Sequence, residues 1–296
     1  MAIPSLKAHV TELLTKKLIA SNERLFSPSH LAEIFIQIRT EWGLPRSLTF
    51  NKFRDLALET KTLQEVEFTS TYPLRTTRFH RGEFSAYELA LSLRPRSYLS
   101  HGTAAFLHGL TDRQPEFVHV NQEQSAKQRS GSLTQAGLNR AFSGKQRQSN
   151  FIVTHKKTRI MLLNGKDTGE LGVEEIIGAR GEALKITNVE RTLIDIAVRP
   201  GYAGGAKSVL VTYGRALQKI AASRLAAMIE KLDYVYPYHQ AIGFYLQRAG
   251  LDFKSLTNLR NLELKYDFFL EHGMKKTRFD SRWRIHYPHD LPELEG

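Results

Sequence analysis

The spacing of apolar residues changes once, near residue 61, and this constrains the N-terminal third of the chain more than any other feature. Up to that point apolar side chains recur at helical spacing. Leu6, Val10, Leu13 and Leu14 predict a first helix over residues 5–20. Ser27-Pro28 supplies an N-cap and an N1 proline for a second helix through Leu31, Ile34, Phe35 and Ile38, which Gly43 and Pro45 stop. Ser47 is placed to cap a third helix whose apolar face is Phe50, Phe53, Leu56 and Ala57. At about 100° per residue, Asn51 and Asp55 fall opposite that face, flanked by Lys52 and Arg54. After Lys61 the pattern shortens: Leu63, Val66 and Phe68, then Arg75–Phe79, read as two short strands around a Thr71-Tyr72-Pro73 turn.

Three short helices followed by a β-hairpin is the element order of a winged helix-turn-helix. A helix of this size fits the DNA major groove when its buried face holds it to the bundle and its outer face meets base edges. The DNA-contacting residues expected on this reading are Arg46, Ser47, Thr49, Asn51, Lys52 and Arg54, with Arg75, Arg78 and Arg81 on the hairpin. Asn51 suits a bidentate contact with adenine, and the cations suit guanine or phosphate. Asp55 could read a cytosine amino group or pair with Lys52 or Arg54. Trihelical bundles with hairpins also serve as protein-binding modules, so the order alone leaves that alternative open.

Beyond residue 82 the chain reads as a connecting helix over 83–95 and a larger mixed domain over 96–296. Strands are expected at Tyr98-Leu99, Phe117–Val120, Phe151–Thr154, Arg159–Leu163, Gly172–Ile177, Leu184–Thr187 and Thr277–His286. Helices are expected after Ser100, after Asn188, from Lys207 to Glu230, over Tyr238–Arg248 and over Leu256–His272. The expected fold class is therefore α+β: an N-terminal winged helix-turn-helix over 1–82 followed by a larger mixed α+β domain.

Charge adds a second theme. The 296 residues carry 42 Lys plus Arg against 30 Asp plus Glu, a formal +12. Gln124 to Ile160 holds Lys127, Arg129, Arg140, Lys145, Arg147, Lys156, Lys157 and Arg159 with no acid at all. Residues 1–81, by contrast, hold twelve basic and eight acidic residues. Another excess surrounds Asp280, in Lys275, Lys276, Arg278, Arg282 and Arg284. Clustered cations attract polyanions by counterion release, and the 124–160 stretch is expected to form a second basic surface. Cysteine is absent, which excludes disulfides, thiol nucleophiles and Cys-ligated zinc. No apolar run approaches the roughly 20 residues of a membrane span. Lys7, Glu12, Lys16 and Lys17 interrupt the N-terminal apolar pattern, so no signal peptide is expected, and a cytoplasmic location is.

The segment Tyr98-Leu99-Ser100-His101-Gly102-Thr103-Ala104-Ala105-Phe106-Leu107-His108-Gly109-Leu110 resembles the signature of the AbiEi antitoxin family of type IV toxin–antitoxin systems. Ile186-Thr187-Asn188-Val189-Glu190-Arg191-Thr192-Leu193-Ile194-Asp195 is similar to a second element of that family, and Thr277-Arg278-Phe279-Asp280-Ser281-Arg282-Trp283 with Pro288 to a third. Together with the N-terminal winged helix they span nearly the whole chain. The resemblance implies a protein that represses its own operon by binding inverted repeats in double-stranded operator DNA. It also implies that the C-terminal domain counteracts a cognate nucleotidyltransferase-fold toxin, AbiEii, in systems associated with abortive phage infection. The 124–160 stretch is longer and more basic than the family pattern requires; it could add DNA contacts or compete with the toxin for a nucleotide or tRNA.

Enzyme readings are weaker, and no catalytic residue, metal or cofactor is expected. His101 and His108 share a helix face and His119 follows, but no i, i+4 pair or nearby carboxylate completes a metal set, and His286 and His289 fall in an irregular tail. Gly201, Gly204 and Gly205 lack the Lys-Ser/Thr pairing of a phosphate loop, despite Lys207-Ser208 nearby. Asp252 with Glu263-Leu264-Lys265 imitates the carboxylate set of metal-dependent nucleases, yet on the expected helix Glu263 and Lys265 diverge by about 200°. Arg191 and Asp195 are spaced for an intrahelical salt bridge. Besides the nuclease, the alternative to an antitoxin is a stand-alone winged-helix transcriptional regulator.

Overall fold

The computed structural model describes residues 6–21, 23–73, 77–126 and 132–293, in two units. One holds the chain up to Pro95 together with Val153–Thr158, and the other holds Arg96–Ile152 and everything from Arg159 onward. The first boundary falls at 95/96, so the helix read as a connector belongs to the first unit.

In the first unit, α1 (Leu6–Ser21), β1 (Leu25–Phe26), α2 (Pro28–Glu41), α3 (Phe50–Glu59) and β2 (Gln64–Glu65) follow in order. Ser27 Oγ accepts from the His30 amide at 3.1 Å, and Pro28 needs no amide partner at N1, so α2 starts where the sequence places it. The third helix starts two residues later than expected. Leu48 is buried and its amide closes a turn onto Pro45 O at 3.0 Å, so Thr49 rather than Ser47 becomes the cap. β3 (Thr69–Ser70), β4 (Phe79–His80) and α4 (Ala86–Ser92) complete the contiguous part, with Ser85 and Glu88 forming a capping box on α4.

β4 pairs antiparallel with both β1 and β2, giving the order β1-β4-β2. Helix, strand, two helices and two strands closing on the first strand is winged helix-turn-helix topology. β1 escaped the sequence because two residues cannot show a period. The wing is also wider than the expected 71–73 turn. Val66 N still bonds Arg78 O at 2.8 Å, whereas β3 turns away and pairs with Val153 and Thr154 of β7 (Ile152–His155). Leu14, Leu18, Phe26, Leu31, Phe35, Ile38, Phe53 and Phe79 form the core. The Phe35 and Phe53 rings lie 5.0 Å apart, which pins α3 to α2.

The larger unit is a mixed sheet with helices against it. Its strands are β5 (Ser97–Leu99), β6 (Val118–Glu123), β8 (Thr158–Gly165), β9 (Val173–Ile177) and β10 (Ala183–Thr187). Their order is β8-β6-β5-β10-β9. β6 runs parallel to β8 and β5 parallel to β10, while β5–β6 and β9–β10 are antiparallel. α5 (His101–Leu107) follows β5, and α7 (Val189–Val198) follows β10. Every residue of α7 from Glu190 to Ala197 is buried, because α5 and the later helices α8 (Ala206–Ala216), α9 (Ala222–Leu232) and α10 (Tyr238–Arg248) enclose it. Asn188 caps it, accepting from the Arg191 amide at 2.9 Å.

Three expectations for this unit are corrected. The basic stretch contains a helix that was not among those expected: Thr134 caps α6 (Gln135–Ser143), whose Leu138 and Phe142 are buried. The helix expected over 256–272 shrinks to α11 (Thr257–Arg260), because Phe268 and Leu270 are buried on alternate positions of an extended segment. There β11 (Phe268–Phe269) pairs parallel with β13 (Ile285–Pro288). The final strand divides into β12 (Thr277–Asp280) and β13, since Asp280 Oδ1 accepts from the Trp283 amide at 2.9 Å and turns the fully buried indole inward.

Candidate functional site

On α3 the apolar face points into the bundle and the opposite face is open. Asn51 and Lys52 are exposed, as are Arg46, Ser47 and Thr49 ahead of them. Lys52 Nζ lies 3.4 Å from Ser47 O. Arg54 does not stand free. Its Nε and Nη2 both donate to Asp55 Oδ1, at 3.0 and 2.8 Å, so this pair neutralises itself. Among the expected α3 contacts, Asn51 and Lys52 pair with no carboxylate among the described residues, leaving an amide and a cation one residue apart.

The hairpin arginines behave differently from the expectation. Arg78 is 5 % exposed, and its guanidinium donates to Ser92 O and Thr77 O. It caps the C-terminal carbonyls of α4, where a cation also suits the helix dipole, and it has no face toward DNA. Arg81 is half-buried, and Arg75 lies outside the described residues.

The cations expected to form a second basic surface are distributed over both units. Lys127 and Arg129 lie outside the described residues. Lys156 and Lys157 form the exposed turn after β7, within the first unit. Arg140, Lys145, Arg147 and Arg159 belong to the larger unit. There Arg159 pairs with Glu116 and covers the Phe117 ring at 4.1 Å, whereas Arg147 enters the lining of a cleft.

That cleft encloses about 900 Å³. The ends of β6 and β8, the first residue of α5, the C-terminal end of α7 and the loop between α9 and α10 surround it. Beneath it runs a hydrogen-bonded network. Arg191 Nε donates to Asp195 Oδ1 at 2.8 Å, while Nη1 donates to Leu171 O at 2.6 Å. Nη2 lies 3.4 Å from Tyr98 Oη, which donates to Glu123 Oε1 at 3.1 Å and accepts from Asn121 Nδ2 at 2.7 Å. Burial raises the Asp195 carboxyl and Arg191 opposes that rise. Burial also works to raise Glu123, but the Thr168 hydroxyl and the Thr168 and Glu170 amides hold it below its ordinary value.

Above that network stand groups that sequence reasoning did not single out: Arg199, Asn121 and the tyrosines of Asp233-Tyr234-Val235-Tyr236-Pro237-Tyr238. The alternating tyrosines were visible as a motif, but nothing in the sequence placed them beside α5. Arg199 Nη1 reaches Arg147 O at 3.4 Å. Lys166 reaches the Leu232 and Asp233 carbonyls, the latter at 2.7 Å, and closes the C-terminal end of α9.

His108 and His101 each hold a hydrogen-bond partner through one ring nitrogen. His108 Nε2 donates to Thr187 O at 2.7 Å, tying α5 to β10. His101 Nδ1 is 2.8 Å from Ser100 Oγ, so that hydroxyl serves the ring and makes no cap bond to α5. Burial, then the charges of Arg199 and Arg191, push His101 down to about 3. Burial, then His101, does the same to His119. Both rings are neutral at neutral pH. His286 lies in β13, stacked 5.0 Å from the Phe269 ring, rather than in an irregular tail. Among the described residues no group of three or more His, Asp or Glu is placed to hold a metal ion. Glu263 and Lys265 lie in an irregular exposed segment, not a helix, while Asp252 accepts from the Lys254 amide at 3.1 Å to cap its own turn. Nor is any helix among the described residues long and apolar enough to cross a membrane.

No family model matches this chain, and no curated protein matches it. Among solved structures, the RV2827C protein from Mycobacterium tuberculosis is similar over 98% of this chain and 93% of that one, with a TM-score of 0.58 and 15% sequence identity. At that identity the likeness shows a shared α+β fold and nothing more.

Proposed function

We propose that the chain is a DNA-binding antitoxin that represses its own operon, with α3 as the recognition helix, and that it counteracts a nucleotidyltransferase-fold toxin in the cytoplasm. The observation that carries the DNA half is the outward face of α3 in a winged helix-turn-helix, where Asn51 and Lys52 are exposed and uncommitted to any carboxylate. Such a face docks in the major groove, with Asn51 reading a base edge and Lys52 and Arg46 neutralising phosphate. The action on DNA is binding alone. The antitoxin half rests on the sequence resemblance to AbiEi.

The test is fluorescence anisotropy of the full chain on DNA from upstream of its own coding sequence, at two salt concentrations. Asn51→Ala with Lys52→Ala should weaken binding by about tenfold or more and reduce the salt slope by about one phosphate contact. Unchanged affinity and slope refute α3 as the reader. In cells, expressing a neighbouring nucleotidyltransferase gene should arrest growth, and this chain should relieve the arrest. The same double variant should still relieve it, because its substitutions lie outside the larger unit; failure of the wild-type chain to do so removes the antitoxin reading.

A further inference from the structure

We propose that the cleft of the larger unit is a nucleotide-binding pocket, in which Arg147 and Arg199 take the phosphate, Tyr234 and Tyr236 flank the base, and His101 and Asn121 read its polar edge. Four observations converge on this.

His101 opens α5 with φ +52°, a conformation that glycine adopts freely and other residues rarely. Backbone strain of this kind is kept where a side chain must be held in one place. His101 so held is 9 % exposed, with Nδ1 on Ser100 Oγ and Nε2 without a partner among the described residues. It lines the cleft, with the Tyr202 ring standing edge-on at 5.2 Å. Asn121 repeats the pattern: it is 4 % exposed, its amide nitrogen donates to Tyr98 Oη, and its carbonyl oxygen has no donor among the described residues. Neither atom is sealed from solvent, so both stand open to the one cleft, where a ligand's own donors and acceptors can reach them.

The charges are divided in the same way. Arg191 spends its guanidinium on Asp195, Leu171 and Thr168. Arg147 and Arg199 have no carboxylate partner among the described residues, although both line the cleft. Uncommitted guanidinium groups beside a cavity suit a phosphate, which accepts their planar fork in two bonds. Tyr234, whose ring lies 5.5 Å from Lys166 Nζ, and Tyr236, packed on Phe142, line the same cleft, and half-buried aromatic side chains there suit a planar heterocycle. The volume of about 900 Å³ accommodates a nucleotide and exceeds what inorganic phosphate needs.

Isothermal titration of the full chain at fixed ionic strength tests this, with the four nucleoside mono- and triphosphates, adenosine, inorganic pyrophosphate and a single-stranded tetranucleotide as probes. The expected result is one saturable site for at least one nucleotide, with adenosine and pyrophosphate each weaker by at least about tenfold than that nucleotide. Arg147→Gln and Arg199→Gln should each weaken it severalfold. His101→Asn, which tolerates the positive φ, should alter the preference among bases while leaving pyrophosphate binding unchanged. Asn51→Ala with Lys52→Ala should leave mononucleotide binding intact, which separates this pocket from the DNA reader. Tighter binding of the tetranucleotide identifies the source as a strand end, and equal binding identifies a free nucleotide. Absence of saturation up to the millimolar range overturns the proposal. So does pyrophosphate binding as tightly as any nucleotide, or affinity unchanged in Arg147→Gln, whose exposed position keeps the fold out of the comparison.

Discussion

The paired histidines of the larger unit set a measurable acid sensitivity. His101 and His119 lie with ring centroids 6.2 Å apart, 9 % and 4 % exposed, and both are held to about 3. In the unfolded chain each returns to an ordinary value near 6.5. Between those two values the unfolded state binds more protons than the folded state, so stability rises with pH across the window and falls as acid is added. From pH 7.5 to 5.5 each unfolded imidazole takes up most of a proton that its folded counterpart does not, and the two together lower stability by roughly 3 kcal/mol. The assay is urea unfolding followed by tryptophan fluorescence. The chain has two tryptophans, Trp42 in the first unit and Trp283 in the larger, so a Trp42→Phe background leaves one reporter in the larger unit. In that background the pH-dependent loss should exceed the loss in a His101→Asn/His119→Gln variant by roughly 3 kcal/mol, since carboxylates common to both cancel. Equal losses would show that the imidazoles are protonated in the folded protein and that their burial does not exclude charge.

Three further outcomes follow from packing and pairing. Gly243→Ala should destabilise the larger unit by about 1–3 kcal/mol or more, read at Trp283, because the added methyl would stand 2.1 Å from Cζ3 of that indole; an unchanged midpoint refutes the close approach. Arg191→Met should cost about 3–5 kcal/mol by leaving Asp195 charged and buried, whereas Arg191→Met with Asp195→Leu should recover most of it; equal loss in both variants would show that the pair matters only as volume. Ser27→Ala should cost the first unit about 1 kcal/mol through the lost cap on α2, read at Trp42 in a Trp283→Phe background; no change means that the His30 amide finds another acceptor.

Much of the first unit could be read from the chain because its signals are local. A cap, a proline and a helical stripe within a dozen residues specify α2 whatever surrounds it. The buried Arg78 could not be read that way. On the sequence it is one of three hairpin cations, and it is the position of Ser92, fourteen residues on, that makes it a cap. Arg54 was ambiguous for the same reason: only side-chain geometry decides whether it faces a phosphate or its neighbour Asp55. In the larger unit the Phe268 and Leu270 alternation was overridden by helical propensity around it, because a two-residue strand is stabilised by its partner β13 and not by its own sequence.

The sequence by itself determined the class of the fold, the helical start of the chain, the caps at Ser27 and Asn188, and the intrahelical pairing of Arg191 with Asp195. Each depends on residues close together in the chain. Only the tertiary structure decided which charges are spent. It buried Arg78 and Arg191, split the 124–160 cations between two units, and set Arg147 and Arg199 beside His101 and Asn121 around one cleft. The cost of burying a polar group, and the partners that offset it, depend on neighbours from distant segments, which no local pattern encodes.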